Sequence, residues 1–354
     1  MPRARLHLIH TAAPDDVSGL LAHIEAGQID PSKLIAILGK TEGNGCVNDF
    51  TRAFSVQALT AALGPHAEGV AMVMSGGTEG GLCPHILTFE VLDDDAPAPG
   101  SPPALAIGSI ITRDLKPEEI GTASQIEVVA EGVAQAMAKA GITDPADVHF
   151  VQIKCPLLTA ARVAEARARD ETTATTDTLK SMGFSRGASA LGVAVALGET
   201  TPEVAAQALC TDPSVFSARA STSAGIELMG HEIILLGMGE LWSGPLSIDH
   251  AVMSDQIDIA PVLDAMARLE IGTSASLTAL LAKAEPGTSG TIRGNRHIML
   301  DDSDISATRH ARAFVGGALA GITGRTDIYV SGGAEHQGPD GGGPVALIAE
   351  RTQP

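Results

Sequence analysis

Serine, followed by small residues and an acid, recurs in this sequence in a pattern that could support nucleophilic catalysis. The serine motif Ser-[Gly/Ala]-Gly-x-Glu occurs as SGGTE at 75–79, SAGIE at 223–227 and SGGAE at 331–335. An extended run precedes each copy, so each serine is predicted to end a strand, with its hydroxyl and the next backbone N–H groups exposed. One copy alone would be typical of a turn. Three copies that share the serine and the glutamate favour a repeated functional element.

Two lysines are candidates for the base that such a serine requires. Lys40 and Lys154 each end an apolar stretch that is predicted to be a strand. A serine hydroxyl becomes a good nucleophile when a base removes its proton, and lysine can be that base when burial and neighbouring cations lower its pKa. A Ser–Lys pair could therefore attack an amide bond. The alternative is that both lysines are charges facing solvent.

Arginines near the starts of predicted helices complete the pattern. Arg52, Arg186 and Arg312 each precede one serine motif. A guanidinium group fits planar carbonyl or imidate oxygens, whereas the alternative for each arginine is an ordinary charge on a helix surface. The final third of the chain is predicted to lack a lysine at a strand end, and Arg293 or Arg296 is the expected substitute.

Other catalytic patterns fit poorly. Gly39-Lys40-Thr41 resembles the end of a phosphate-binding loop, but position 34 is Leu where that motif requires Gly. The histidines include neither HxH nor HExxH, and His7 and His10 would lie on opposite faces of a strand. The four cysteines form no CxxC pair, so neither a zinc site nor a disulfide framework is indicated.

Length and composition limit the class of protein. A chain of 354 residues suggests two or three domains, with cores built from small aliphatic residues because aromatics make up only 3%. The 42 acidic and 23 basic residues give a net charge of −19, which disfavours nucleic acid and anionic membranes as partners. We expect a soluble, cytoplasmic protein, because no signal-peptide pattern and no run of 18 apolar residues occur.

The elements that must position these residues repeat in the same order. A helix, a strand ending in lysine, a helix with an early arginine, a strand, the serine motif and a final strand are predicted within 1–96 and again within 104–243. In 250–354 the segments DIAPVLDAMARL and SASLTALLAKAE are predicted helices, and SGTIRGNRHIML takes the place of the lysine strand. The acidic, Pro-rich stretch DDDAPAPGSPP is a predicted linker. We therefore predict an α/β fold of three similar repeat domains around a pseudo-threefold axis with one central site.

Longer motifs resemble a known family. The stretch GKTEGNGCVNDFTR at 39–52, together with GFSRGASALG, SDISATRHARAFVGG and VSGGAEHQGPDGGGP, closely resembles the cyanuric acid amidohydrolase and barbiturase family. The resemblance covers nearly the whole chain and implies hydrolytic opening of a planar cyclic imide, with Lys154 as base and Ser223 as nucleophile. The implied substrate contacts, to which Lys40 is added, are Arg52, Ser75, Gly76, Arg186, Ser223, Ala224, Arg312, Ser331 and Gly332.

The resemblance also implies a structural metal ion, usually magnesium and alternatively calcium, and a homotetramer; no organic cofactor is expected. The implied ligands are mainly backbone oxygens of the loop after the third serine motif, from Ala334, Gln337, Gly338, Pro339 and Gly342, with Glu285 as the carboxylate. Carbonyl and carboxylate oxygens suit a hard cation. On composition alone the same loop would be a flexible segment.

The expected function is the opening of cyanuric acid to carboxybiuret, which decarboxylates to biuret. The threefold symmetry of cyanuric acid matches three equivalent units, and the two outer motifs both read Ser-Gly-Gly. One alternative is a barbiturase that opens barbituric acid to ureidomalonate. Another is a non-catalytic binding protein for small heterocycles.

Overall fold

A computed structural model describes residues 1–93 and 102–352. Most of the predicted linker at 93–103 lies outside the described residues. The first unit contains β1 (Pro2–His10), α1 (Ser18–Glu25), β2 (Leu34–Thr41), α2 (Phe50–Leu63), β3 (Ala71–Gly76) and β4 (His85–Asp93).

The middle unit is the largest of the three. It contains β5 (Ala104–Ile111), α3 (Ala123–Ala140), β6 (Val148–Pro156), α4 (Ala160–Ala168), α5 (Thr178–Ala196), α6 (Pro202–Ala208), β7 (Ala220–Gly225) and β8 (Glu232–Gly239). The third unit contains β9 (Leu246–Met253), α7 (Ala260–Arg268), β10 (Ala275–Ala284), β11 (Thr291–Ile292), β12 (Asn295–Arg296), α8 (Ala307–Thr323), β13 (Tyr329–Gly332) and β14 (Gly343–Arg351).

Each unit forms one four-stranded mixed sheet with the same topology. The strand orders are β1-β4-β2-β3, β5-β8-β6-β7 and β9-β14-β10-β13. In every sheet the strand that carries the lysine pairs in parallel with the strand that carries the serine, and all other pairings are antiparallel. We call β2, β6 and β10 the lysine strands. Each has an irregular register near its start, which supports their equivalence.

The three sheets contribute to one shared apolar cluster, beside which the first and third units have clusters of their own. Leu38 of β2, Ile153 of β6 and Leu281 of β10 all belong to one cluster of buried residues. Side chains alternate between the two faces of a strand, so Lys40 lies on the same face as Leu38, and Lys283 on the same face as Leu281. The shared core thus brings the ends of the lysine strands towards the place where the three units meet.

The third unit corrects two predictions. The segment predicted as the helix SASLTALLAKAE is largely the strand β10, and the predicted lysine strand SGTIRGNRHIML contains only the two-residue strands β11 and β12. The Ala- and Leu-rich composition of β10 favours a helix, but β13 and β14 pair with it on both sides. Tertiary pairing overrides intrinsic propensity there.

Within the described ranges, the helices are too short or too polar to cross a membrane.

Candidate active site

The parallel strand pairs place a lysine opposite a serine in each unit. The directly paired residues are Lys40 and Ser75, Lys154 and Ser223, and Lys283 and Ser331. Each serine ends a buried strand, after which the chain turns; Gly77 and Gly333 adopt positive φ values of 106° and 79° there. These values favour glycine because it lacks a Cβ. The sequence pattern therefore produces the same lysine–serine pairing three times, and the positive-φ glycine turn in the two outer units.

The lysines also tie the units to one another in a cycle. Each Nζ donates a hydrogen bond of 2.7 Å to the backbone carbonyl of the residue just before the serine of another unit. The pairs are Lys40 with Val330, Lys154 with Met74 and Lys283 with Thr222. Because these three hydrogen bonds are equivalent, the Nζ atoms of the three lysines form a ring next to the three serine strands.

Burial makes these lysines unusually weak bases for their type. Each is only 1% exposed. Burial and then Arg312 hold the pKa of Lys40 well below its ordinary value, while burial and then Arg186 lower the pKa of Lys283 to about 7. Burial also lowers the pKa of Lys154, but neighbouring Glu227 opposes this shift. Burial thus shifts the three lysines towards the neutral amine, the form that general-base catalysis requires.

The three serine hydroxyl groups differ in their hydrogen-bond partners. Ser75 Oγ accepts a hydrogen bond of 3.1 Å from Lys40, and Ser331 Oγ accepts one of 3.2 Å from Lys283. Ser223 Oγ is buried, and no partner for it lies among the residues that the structure describes. The middle serine is therefore the one whose hydroxyl is left free to exchange a proton.

Arginines and the motif glutamates form a second cycle between units. Arg312 contacts Glu79 through two nitrogens at 2.8 and 2.5 Å, and Arg186 contacts Glu335 at 2.7 and 2.6 Å. Arg52 instead donates to the backbone carbonyls of Ala224 and Cys46. Bidentate pairs of this kind fix the guanidinium plane, so two of the three arginines are held in defined orientations.

One small central cavity collects nine of the ten residues predicted to contact substrate, all except Lys40. It is lined by Gly45, Arg52, Ser75, Gly76, Met182, Arg186, Ser223, Ala224, Arg312, Ser331 and Gly332. Gly45 and Met182 are additions that carry no sequence signal of their own. Lys40, Lys154 and Lys283 are outside this lining and lie behind it. A compact ligand in the cavity would meet serine and arginine from all three units.

A wider opening leads from the cavity to the surface. It shares Gly45, Met182, Arg186, Arg312 and Gly332 with the cavity and extends to Leu179, which is 62% exposed. The shared residues make this opening the natural entrance for a ligand.

Steric contacts explain the small residues after the outer serines. A Cβ on Gly76 would overlap the carboxylate of Asp49, which caps α2 and accepts a hydrogen bond from Gly45 N. A Cβ on Gly332 would overlap the methyl group of Thr308. The middle copy, by contrast, accommodates Ala224, so the units are not identical where they face the ligand.

The predicted metal ligands lie around the loop between β13 and β14. Glu285 Oε2 accepts a hydrogen bond of 2.6 Å from Ala334 N, and burial with nearby Glu335 raises the pKa of Glu285 to about 7. Gln337 uses its side-chain oxygen to accept from Thr222 N, which leaves its backbone oxygen as the group it could offer to a metal ion. A buried carboxylate next to loop carbonyls fits a hard cation, because a cation would stabilise the ionised form.

Lys283 is the functional residue that sequence reasoning missed. Arg293 and Arg296, the expected substitutes, are exposed and pair with Asp255 and Asp301. That expectation was wrong because the lysine strand of the third unit lies earlier in the chain than predicted. The Lys-x-Glu pattern shared by 40–42 and 283–285 was the signal that could have identified it.

Comparison with known proteins places this geometry in a family. A family model described as amidohydrolase ring-opening protein matches residues 5–350. The chain belongs to this ring-opening amidohydrolase family. The predicted class, an amidohydrolase acting on cyclic amides, is thereby confirmed, and so is the resemblance recognised from the motifs.

Several relatives are similar over their whole length. A cyanuric acid amidohydrolase of Azorhizobium caulinodans is 62% identical over 357 residues, covering 99% of both chains. One from a Bradyrhizobium species is 57% identical over 366 residues, covering 99% of this chain and 98% of the relative.

Two solved structures share the fold. The cyanuric acid hydrolase of A. caulinodans superposes with a TM-score of 0.94 at 61% identity, over 100% of both chains. A second cyanuric acid hydrolase, described as an innovation by structural concatenation, has a TM-score of 0.94 at 46% identity, over 99% of this chain and 100% of its own. The predicted α/β fold of three similar repeats is confirmed.

Proposed function

We propose that this protein hydrolyses cyanuric acid, opening the ring to carboxybiuret, which then loses carbon dioxide to give biuret. The observation that carries the proposal is a small cavity to which three units present equivalent serines and arginines. Cyanuric acid carries three equivalent carbonyl groups, so each unit can bind one of them. Relatives that are 62% and 57% identical and bear this activity in their names support the same substrate.

Ser223 is the proposed nucleophile and Lys154 the proposed base. The free Ser223 hydroxyl and its direct pairing with Lys154 across β6 and β7 support this choice. Neutral Lys154 takes the hydroxyl proton while Oγ bonds to one ring carbonyl carbon. The C–N bond then breaks, and the leaving nitrogen takes a proton from the Lys154 ammonium group.

Water completes the cycle by attacking the acyl-enzyme ester. Lys154 takes a proton from the water and returns one to Ser223 Oγ, and the freed carboxylate belongs to carboxybiuret. Backbone N–H groups that follow Ser223 and the arginine guanidinium groups stabilise the oxyanion that forms at each attack. Ser75 and Ser331 hold the other two carbonyl groups.

The loop after the third serine motif is the proposed site of a structural Mg²⁺ or Ca²⁺ ion. Glu285 and the backbone oxygens of the loop would hold it, and the ion would supply charge compensation for Glu285. The homotetramer implied by the resemblance and the cytoplasmic location expected from the sequence pattern are also proposals. Light scattering of the purified protein would test the first of them.

The decisive experiment compares the three serines with one another. Ser223→Ala should lower kcat by at least about a thousandfold with cyanuric acid, while Ser75→Ala and Ser331→Ala should mainly raise KM. Near-normal turnover by Ser223→Ala would refute the assignment of the nucleophile.

Assays of the purified protein with cyanuric acid and barbituric acid discriminate between the two substrates. Faster turnover of barbituric acid would favour the barbiturase alternative. A binding protein without activity would release no burst of product in a single-turnover experiment with either compound.

A further inference from the structure

The glutamates that end the serine motifs have different partners in the three units. Glu79 and Glu335 are each held by two nitrogens of an arginine from another unit. Glu227 is not, because Arg52 Nε lies 3.9 Å from Glu227 Oε1, beyond hydrogen-bond distance. Glu79 and Glu335 thus each form a hydrogen-bonded ion pair with an arginine, whereas Glu227 forms no hydrogen bond with Arg52.

Glu227 is directed at the lysine instead. Its Oε1 lies 3.0 Å from Lys154 Nζ, and its side chain is 12% exposed. Within the described part of the chain, no hydrogen bond of good geometry reaches either carboxylate oxygen. For the outer pairs, Lys40 and Lys283 donate to Ser75 and Ser331, and their glutamates are occupied by arginines. A lysine–glutamate contact is therefore specific to the middle unit.

We infer that Glu227 is a positioning residue that holds the Lys154 side chain and stabilises the ammonium group formed when Lys154 takes the Ser223 proton. This inference rests on the proposed function. The proton moves from Ser223 Oγ to Lys154 Nζ and stays there until the leaving nitrogen takes it. During that interval Glu227 faces a full positive charge at contact distance, so the interaction is strongest when catalysis requires it.

The surroundings of Glu227 fit this role. The charged groups that face it are Lys154 of β6, Arg52 of α2, Arg162 of α4 and Glu232 of β8. Burial alone would raise the pKa of Glu227, but Lys154 and Arg52 together hold it below its usual value. The carboxylate is therefore ionised at neutral pH and keeps Lys154 more basic than burial alone would allow.

The pH dependence of kcat separates this role from a purely structural one. In Glu227→Gln the pKa of Lys154 should fall, so the acidic limb of kcat should move to lower pH by at least about one unit. The plateau of kcat should fall roughly 10- to 100-fold because the ammonium group loses its partner, with little change in KM. Glu227→Asp should restore part of both effects.

The matched controls are Glu79→Gln and Glu335→Gln, which remove the same charge from the outer copies. They should raise KM and leave the acidic limb in place. An unmoved limb in Glu227→Gln, or an equal shift in all three variants, would overturn the inference. If Glu227→Gln does not fold, the position of the acidic limb of kcat in Glu227→Asp tests the inference, and an unmoved limb there would overturn it. An active Ser223→Ala variant would instead contradict the assignment of Ser223 as the nucleophile, and no turnover of cyanuric acid by the wild type would contradict the proposed function itself.

A second, independent cluster lies where β6 meets β9. His149 Nδ1 is 2.9 Å from His250 Nδ1 and 3.5 Å from Asp249 Oδ1. All three ligand atoms lie within 4.8 Å of one another. Arg268 Nε contacts the other oxygen of Asp249 at 2.5 Å.

The geometry points to a site for a divalent transition metal ion across the boundary between the middle and third units. Two imidazoles and one carboxylate are a donor set that Zn²⁺ and Co²⁺ accept, and Arg268 would orient the carboxylate from outside. A metal ion there would link the lysine strand β6 to β9.

Titration of the full-length protein with Co²⁺ in excess Mg²⁺ tests the site, because Mg²⁺ occupies sites built only from oxygen ligands. Visible absorption bands should saturate at about one Co²⁺ per chain and should be lost in His149→Ala and His250→Ala. As a control, His10→Ala should leave them unchanged. The absence of bands in the wild-type protein, or their persistence in both cluster variants, would overturn the proposal.

Discussion

Glu232 provides a direct test of how the buried charges near the site affect stability. It begins β8, pairs with Lys154 across the sheet, and contacts the backbone of Met72 from the first unit. Burial raises its pKa from 4.5 to about 7. The folded protein therefore binds a proton at Glu232 that the unfolded chain releases between those pH values.

The sign of the effect follows from this difference. As pH rises from 4.5 to 7 the folded state loses stability, and above pH 7 the whole penalty is present. A shift of 2.5 pKa units corresponds to about 3 kcal/mol, which we reduce to about 2 kcal/mol because the side chain is partly exposed. Glu232→Gln removes the charge and keeps the shape.

We expect Glu232→Gln to be more stable than the wild type by about 2 kcal/mol at pH 8 and by only about 0.5 kcal/mol at pH 5. Urea denaturation of both proteins at the two pH values measures the change. Glu240→Gln, at an exposed position just after the same strand, is the matched control and should show no pH-dependent gain. The reasoning would be refuted if the free energies of unfolding of Glu232→Gln and the wild type differed by the same amount at both pH values.

Three further predictions concern acid stability, the cavity wall and the metal ion. Burial lowers the pKa of His231 to about 3, so the stability difference between His231→Gln and the wild type should be constant above pH 6.5, and the variant should lose less stability below it, measured by thermal unfolding. Gly332→Ala should lower kcat/KM at least about tenfold through overlap with Thr308, and added Thr308→Ser should restore part of it, whereas Ala224→Gly should stay near normal in the same assay. Chelation with EDTA should lower the Tm of the wild type but not that of Glu285→Gln; equal shifts in both would contradict the metal assignment.

Prediction from the sequence was most accurate for features that a repeated local pattern encodes. The serine motifs, each preceded by an extended run, identified the three serine strands, and Arg52, Arg186 and Arg312 line one cavity. Strand ends and the start of α2, which carries Arg52, leave clear local signals, whereas Arg186, predicted near a helix start, lies in the middle of α5 because that helix begins at Thr178. The existence of three units with the same topology followed from the same repetition.

Features that depend on pairing between distant segments were harder to predict. The composition of β10 favours a helix, and only its pairing with β13 and β14 makes it a strand. Lys283 was missed for that reason. Glu227 likewise contacts Lys154 of its own unit rather than Arg52 of the first unit, and a sequence motif shared by all three copies cannot encode that difference by itself.

Three units within one chain allow the copies to take different roles, which a trimer of identical chains would forbid. In the outer units the lysine donates a hydrogen bond to its serine, so the serine hydroxyl is left to donate its own proton to a ligand carbonyl. In the middle unit Lys154 contacts Glu227 and Ser223 has no such donor among the described residues. Under the proposed mechanism, only the middle serine gives its proton to the lysine. The same Ser–Lys pair would then bind substrate twice and attack it once, and the partner of a single glutamate is what distinguishes the copies.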